Sequence, residues 1–271
     1  MNALIGFTLG VPGWPSFFKD AGYQLDRIEP KFLNSEEDQV NPDILLTSNG
    51  SLHALVTECK GGHLNEERLE KYDAITPENL RNEVENVHDV NRLSSENVYV
   101  GTEKTEQSFD YLEIPDAGLI FRNSEYNRRN DFEDEDLNNE LGGGELPEYY
   151  PSQYYPFSPN DSRALIAEKV SQHLMTAASQ GGTDHDEFEA ADIAKEIHEY
   201  WDQISLPGRR ELTKKVENIL EMLEARNVDD DMRQIEGSRS YYVRTSQAFQ
   251  RKCQEVIDDL STDEDLDDFL D

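Results

Sequence analysis

The sequence predicts an α/β chain: a mixed sheet flanked by helices, followed by a mainly helical second domain. Short apolar runs bounded by turn residues recur up to about residue 125, interspersed with helix-like stretches. Beyond residue 160 apolar residues return at helical spacing, with one two-stranded ribbon among them. Between the two lie seven acids over 131–145, Gly142-Gly143-Gly144, and an aromatic, proline-bearing segment from Pro147 to Pro156. The expected division is therefore 1–158, 159–260 and an acidic tail over 261–271.

Taken in order, residues 1–20 hold Gly6, Gly10, Pro12, Gly13 and Pro15, too many breakers for one long helix, and leave a short helix over 16–21. Residues 23–32 alternate loosely as a strand. Residues 43–47 (DILLT) and 53–60 (HALVTECK) read as a hairpin, because Asn49-Gly50 between them signals a tight turn. Gly61-Gly62 ends it, and 65–75 follows as a helix with Asn65 as N-cap. A helix-like stretch near 77–90 and strands at 98–102 and 118–121 complete the first domain. The second has helices over 163–178, 188–201 and 209–226, a ribbon of 232–235 and 241–244 around Gly237, and a helix over 246–260. The last eleven residues hold six acids and no base and read as a frayed tail.

The net charge is −33, from 58 acids and 25 bases. A polyanion repels nucleic acid in dilute salt. At molar salt, however, the Debye length falls to about 3 Å and the repulsion becomes local. The acids are spread along the whole chain and Arg outnumbers Lys, which fits a salt-rich archaeal cytoplasm. An acidic protein with a protein partner is the alternative. Cys59 and Cys253 make no disulfide framework, so a reducing cytoplasm is expected. No run approaches the roughly 20 apolar residues of a membrane span, and residues 1–9 lack the basic start of a signal peptide. The sequence has no P-loop, no G-x-S-x-G elbow and no His/Cys zinc spacing.

The hairpin carries the chemistry. Alternation puts Glu58 and Lys60 on one face, above Ala54 and Val56, while Asp43 opens the partner strand. Two carboxylates and an ammonium thus converge at one end. Mg²⁺ typically takes one or two carboxylates and fills its shell with water and phosphate. Asp43 and Glu58 suit that role, with the Cys59 carbonyl as a further oxygen and Lys60 orienting water or offsetting charge at phosphorus. The Cys59 side chain points to the other face and reads as core. A surface salt-bridge cluster is the alternative.

Asn41-Pro42-Asp43 followed by Glu58-Cys59-Lys60 resembles the PD-(D/E)xK superfamily, the restriction-endonuclease-like fold, over roughly residues 20–125. The resemblance implies a mixed sheet flanked by helices and cleavage of DNA or RNA with Mg²⁺ or Mn²⁺. Arg68-Leu69-Glu70-Lys71-Tyr72 is similar to the segment that follows the site in many members, where Gln often stands at the place of Arg68. Arg68 departs from that pattern but could still reach a phosphate. Many members add a Glu from an early helix; Glu29, Glu36 and Glu37 are available, but none is predicted on a helix.

The second domain resembles a winged helix-turn-helix. Residues 191–197 look like the first helix of the turn motif and 209–226 like the recognition helix. Arg209, Arg210, Lys214 and Lys215 open the latter and are expected at phosphates, Asn218 at a base edge, and Arg239 at the ribbon tip, with Arg233 and Arg244 on its arms. Glu211, Glu217, Glu221 and Glu224 on the same helix weaken a DNA face, and a protein-interaction module is the alternative. The combined expectation is a Mg²⁺- or Mn²⁺-dependent DNA endonuclease, homodimeric if it cuts both strands. A catalytically inactive DNA-binding or regulatory protein of the same fold, or an acidic adaptor, is the competing expectation.

Overall fold

Seven strands hydrogen-bond into one mixed sheet in the computed structural model. It describes all residues except 10–12, 123, 148–160, 181–185, 199, 227–230, 245 and 268–271, and the backbone alone at 178–180, 186 and 263–267. The chain divides into two compact units, Met1–Tyr154 with Asp202–Ser205, and Tyr155–Trp201 with Leu206–Asp271.

The first unit runs α1 (Asn2–Leu9), α2 (Phe17–Asp20), β1 (Tyr23–Ile28), β2 (Phe32–Leu33), β3 (Gln39–Val40), β4 (Ile44–Ser48), β5 (His53–Lys60), α3 (Glu66–Asp73) and α4 (Pro77–Leu80). It continues with β6 (Ser94–Gly101), α5 (Glu103–Leu112), β7 (Ala117–Arg122), β8 (Glu125–Arg129), α6 (Glu135–Glu140) and β9 (Gly144–Glu145). The sheet order is β1-β4-β5-β6-β7-β8-β9. β5, β6 and β7 are parallel; the outer pairings are antiparallel. The central strands read as near-continuous apolar runs because both faces are covered. On one face Leu45, Ala54, Val56, Tyr99 and Ile120 pack with Leu64, Tyr72, Leu80 and Phe109. Near α1, Phe7 stacks on Trp14 and Phe121 and meets Tyr126.

Several elements differ from expectation for identifiable reasons. Helix α1 is buried from Ala3 to Thr8, so it carries no amphipathic stripe, and Gly6 sits inside it. The hairpin loop spans four residues, since Ser48 pairs with His53, and Leu52 takes the positive φ of 53°. The turn, expected over 48–51 with Asp43 near the end of the second strand, falls one residue later, and Asp43 lies at the end of β5. Within the stretch 77–90 only Pro77–Leu80 is α-helical. Farther on, the buried Asp26 carboxylate takes the backbone N–H groups of Glu85 and Asn86 at 2.9 and 3.1 Å, diverting that chain from a helical ladder. Helix α5, whose first turn is closed by a Thr102/Thr105 capping box, lies in a stretch for which the sequence predicts no element.

The second unit runs α7 (Arg163–Gln180), β10 (Asp186–Glu189), α8 (Ala190–Ile197), α9 (Leu206–Ala225), β11 (Met232–Gln234), β12 (Ser240–Val243) and α10 (Gln247–Asp267). Its sheet order is β10-β12-β11, antiparallel throughout. Phe188 and Glu189, expected in a helix, pair instead with Tyr241 and Ser240, so α8 starts at Ala190. Helix α10 continues to Asp267 through the segment expected to fray; it meets no Gly or Pro to stop it. Its core gathers Ile166, Val170, Leu174, Ile193, Leu212, Val216 and Phe249. Among the described residues, no helix is long and apolar enough to cross a membrane.

Candidate active site

The end of the β4–β5 hairpin and one face of α3 build the site. Asp43 lies one residue before β4, with its backbone tied on both sides: its N–H donates to the Thr57 carbonyl and its carbonyl accepts from Glu29 N–H, both at 2.9 Å. Its Oδ2 accepts the backbone N–H of Cys59 at 2.5 Å, which lays the carboxylate across the end of β5. Glu58 projects from the face that carries Ala54 and Val56 and is 1% exposed. The Asn65 side chain caps α3 by accepting Arg68 N–H at 2.8 Å, fixing the phase of that helix. Arg68 and Tyr72, one turn apart, then both reach Glu58. An Arg68 terminal nitrogen lies 2.5 Å from Oε1, and the Tyr72 hydroxyl donates to Oε2 at 2.6 Å. Lys60 Nζ stands 3.9 Å from the same Oε1. Thr105 Oγ1, in the first turn of α5, donates to the Lys60 carbonyl at 3.0 Å and braces the end of the strand.

Burial raises the Asp43 carboxyl, opposed by the Cys59 N–H bond. Burial also raises Glu58, and the charge of Asp43 pushes it further, against Tyr72 and Arg68. Two crowded carboxylates in a poorly solvated place favour a cation. The Cys59 thiol, on the other face, is pushed up by burial to about 11, so it is no nucleophile near neutrality.

The donor set also bears on Mg²⁺ or Mn²⁺. Thr57 and Cys59 both turn their backbone polar groups toward Asp43, so the Cys59 carbonyl lies on that same edge. Two carboxylates and a carbonyl fit a hard cation that keeps several waters. Among the described residues, no group of three His, Cys, Asp or Glu side chains is placed to hold a metal. Glu36 and Glu37 are exposed, while Glu29 is buried beside the Asp43 backbone. An open cavity of about 260 Å³ adjoins the site, lined in part by Gln39, Asn41, Asn65, Arg68 and Lys71.

Asp43, Glu58 and Lys60 are thus brought together. Arg68, expected to be able to reach a phosphate, is engaged with Glu58. The Tyr72 hydroxyl was missed; its signal was the four-residue spacing from Arg68 on a capped helix. In α9, Arg210, Lys214 and Asn218 are exposed at four-residue spacing on one face. Arg209 instead lies over the Trp201 ring at 6.0 Å, and Lys215 donates to the Asp161 carbonyl at 3.3 Å. Arg239 is exposed in the turn between β11 and β12, and Arg233 covers the Tyr242 ring at 5.1 Å.

Residues 1–140 match the family model of the MJECL32 domain. The chain belongs to the MJECL32 domain family. The matched stretch takes in the hairpin, α3 and every residue of the candidate site. Residues 160–269 match a second family, a domain of unknown function, DUF8601, which takes in α9 and the ribbon. No curated protein and no solved structure matches the chain.

Proposed function

We propose that this MJECL32-family chain is a divalent-metal-dependent endonuclease that hydrolyses DNA phosphodiesters, with a PD-(D/E)xK site. The observation that carries the reading is the meeting of Asp43 and Glu58 at one sheet end with Lys60 beside them. Bound Mg²⁺ or Mn²⁺ would supply an acidified water and a polarised phosphate. Asp43, Glu58 and the Cys59 carbonyl are the groups to hold it. Lys60, about one-third exposed, is the group to orient the attacking water or offset charge on the phosphate. Tyr72 and the Asn65 cap keep Glu58 and α3 in place.

The second unit supports DNA capture. Its order of helix, strand, helix, helix and two further strands resembles a winged helix-turn-helix. Arg210 and Lys214 suit phosphates, Asn218 a base edge, and Arg239 the backbone beyond. A net charge of −33 fits such binding in a salt-rich cytoplasm, where strong screening makes charge repulsion short-ranged. Cutting both strands with one site per chain calls for a homodimer.

The engagement of both Glu58 oxygens by Arg68 and Tyr72 favours a second reading, a DNA-binding or regulatory protein that does not cut. Incubation with DNA and Mn²⁺ in molar KCl separates the two. Cleavage lost in Lys60→Ala, with DNA affinity retained, supports the first. Salt-tolerant binding without cleavage in any divalent metal supports the second.

A further inference from the structure

Glu58 Oε1 is claimed by two cations of this chain at once: Arg68 at 2.5 Å and Lys60 at 3.9 Å. The partners of Glu58 differ in how firmly they are held. Tyr72 is 2% exposed and packed with the apolar cluster under the sheet, so its hydroxyl stays on Oε2 unless the core opens. The Arg68 side chain is 36% exposed; its guanidinium lies 5.8 Å from the Tyr72 ring centre, and its Nε has no hydrogen-bond partner among the described residues. Its side chain also lines the open cavity beside the site. Arg68 is therefore the partner able to swing away.

We propose that Arg68 is a displaceable counter-ion of the cation site, so that a divalent cation reaches Glu58 Oε1 only by evicting the guanidinium. This rests on the reading of Asp43 and Glu58 as that cation's ligands. A guanidinium in contact with Oε1 and a metal ion on the same oxygen exclude each other, by space and by like-charge repulsion. The cation affinity of the chain is then its intrinsic affinity multiplied by the fraction of time Arg68 is away. The evicted guanidinium is left at the cavity edge near Lys71, Gln39 and Asn41, where its planar fork suits a phosphate. A permanent structural ion pair would not behave in this way.

The test is Mn²⁺ titration of the full chain at constant KCl, read by the electron paramagnetic resonance signal of free Mn²⁺. The variants are Arg68→Ala, Arg68→Gln, Lys71→Ala, Asp43→Asn and Glu58→Gln, each checked for folding by circular dichroism. Lys71 is a neighbouring cation on α3 that pairs with Glu67 and controls for a general change of charge. Both Arg68 variants are expected to bind Mn²⁺ about tenfold more tightly than the unaltered chain, as for a pair closed about nine-tenths of the time. Lys71→Ala is expected to stay within about twofold. Equal or weaker binding by folded Arg68 variants, with Glu58→Gln still lowering affinity, would overturn the counter-ion and leave the cation site standing. Unchanged affinity in both Asp43→Asn and Glu58→Gln would remove the cation site itself.

Discussion

The Tyr72 hydroxyl donates to Glu58 Oε2 at 2.6 Å, joining a buried aromatic of α3 to a carboxylate at the end of β5. Glu58 is 1% exposed, so water cannot replace that bond. Tyr72→Phe is expected to cost about 1.5–3 kcal/mol of stability, the range for a hydrogen bond to a charged group. Urea unfolding at fixed KCl measures it, and an unchanged midpoint would mean the bond is not formed in solution.

Gly101 ends β6 beside Lys60, to which it is paired in register. A Cβ there would come within 2.5 Å of the Lys60 carbonyl oxygen and press on the Thr105 side chain. Gly101→Ala is therefore expected to lose about 1–3 kcal/mol, as overpacking does. It should also reduce cleavage by shifting Lys60, while DNA affinity holds. Thermal unfolding and a cleavage assay on one preparation check both; wild-type values for both would show that the strand end yields freely.

Burial pushes the Glu96 carboxyl from 4.5 up to about 7, aided by Glu133 and Asp134 against a backbone bond from Glu133. The folded chain thus keeps a proton that the unfolded chain releases across that interval. The contribution of Glu96 to stability falls as pH rises from about 4.5 to about 7 and levels off above. His53 Nδ1 lies 4.0 Å away and is pushed down by burial, which works with the opposite sign. The difference between Glu96→Gln and wild type isolates Glu96. Unfolding free energies from pH 4 to 9 should show the variant gaining over that window, and a flat difference would contradict the burial.

Much of this was legible in the sequence. Asp43, Glu58 and Lys60 were found because strand alternation and a predicted hairpin fix which side chains share an end. Asn65 was legible as a cap, and with it the start of α3. The placement of the loop at 49–52 rather than 48–51 was not, because Asn49-Gly50 carries a local signal while the register is decided by burial of β4 and β5. Helix α1 was hidden by being apolar on all sides. The diversion at Glu85 and Asn86 depends on Asp26, about sixty residues earlier, which no local window contains. The pairing of Arg68 with Glu58 is hidden in the sequence because it exists only once α3 is docked on the sheet.

Exposure divides the basic residues of α9 into two groups. Arg210→Glu and Lys214→Glu are expected to weaken DNA binding across all sequences. They should also reduce the slope of log affinity against log salt, by about one for each phosphate no longer neutralised. Lys215→Ala, whose ammonium is spent on the Asp161 carbonyl, should leave that slope unchanged. Fluorescence anisotropy over a KCl series reads all three. Equal effects at Lys214 and Lys215 would show that DNA does not bind the exposed face of α9.

As proposed, Asp43, Glu58 and Lys60 form one metal-dependent cleavage site. Its most direct test is incubation of supercoiled plasmid, linear duplex and single-stranded DNA with the full chain in molar KCl and Mg²⁺ or Mn²⁺. Asp43→Ala and Glu58→Ala run alongside, with folding verified by circular dichroism. Cleavage of at least one substrate by the unaltered chain is expected, reduced about a hundredfold or more in each variant. A folded chain that cuts none of the three, or variants that cut as fast as the wild type, would contradict it.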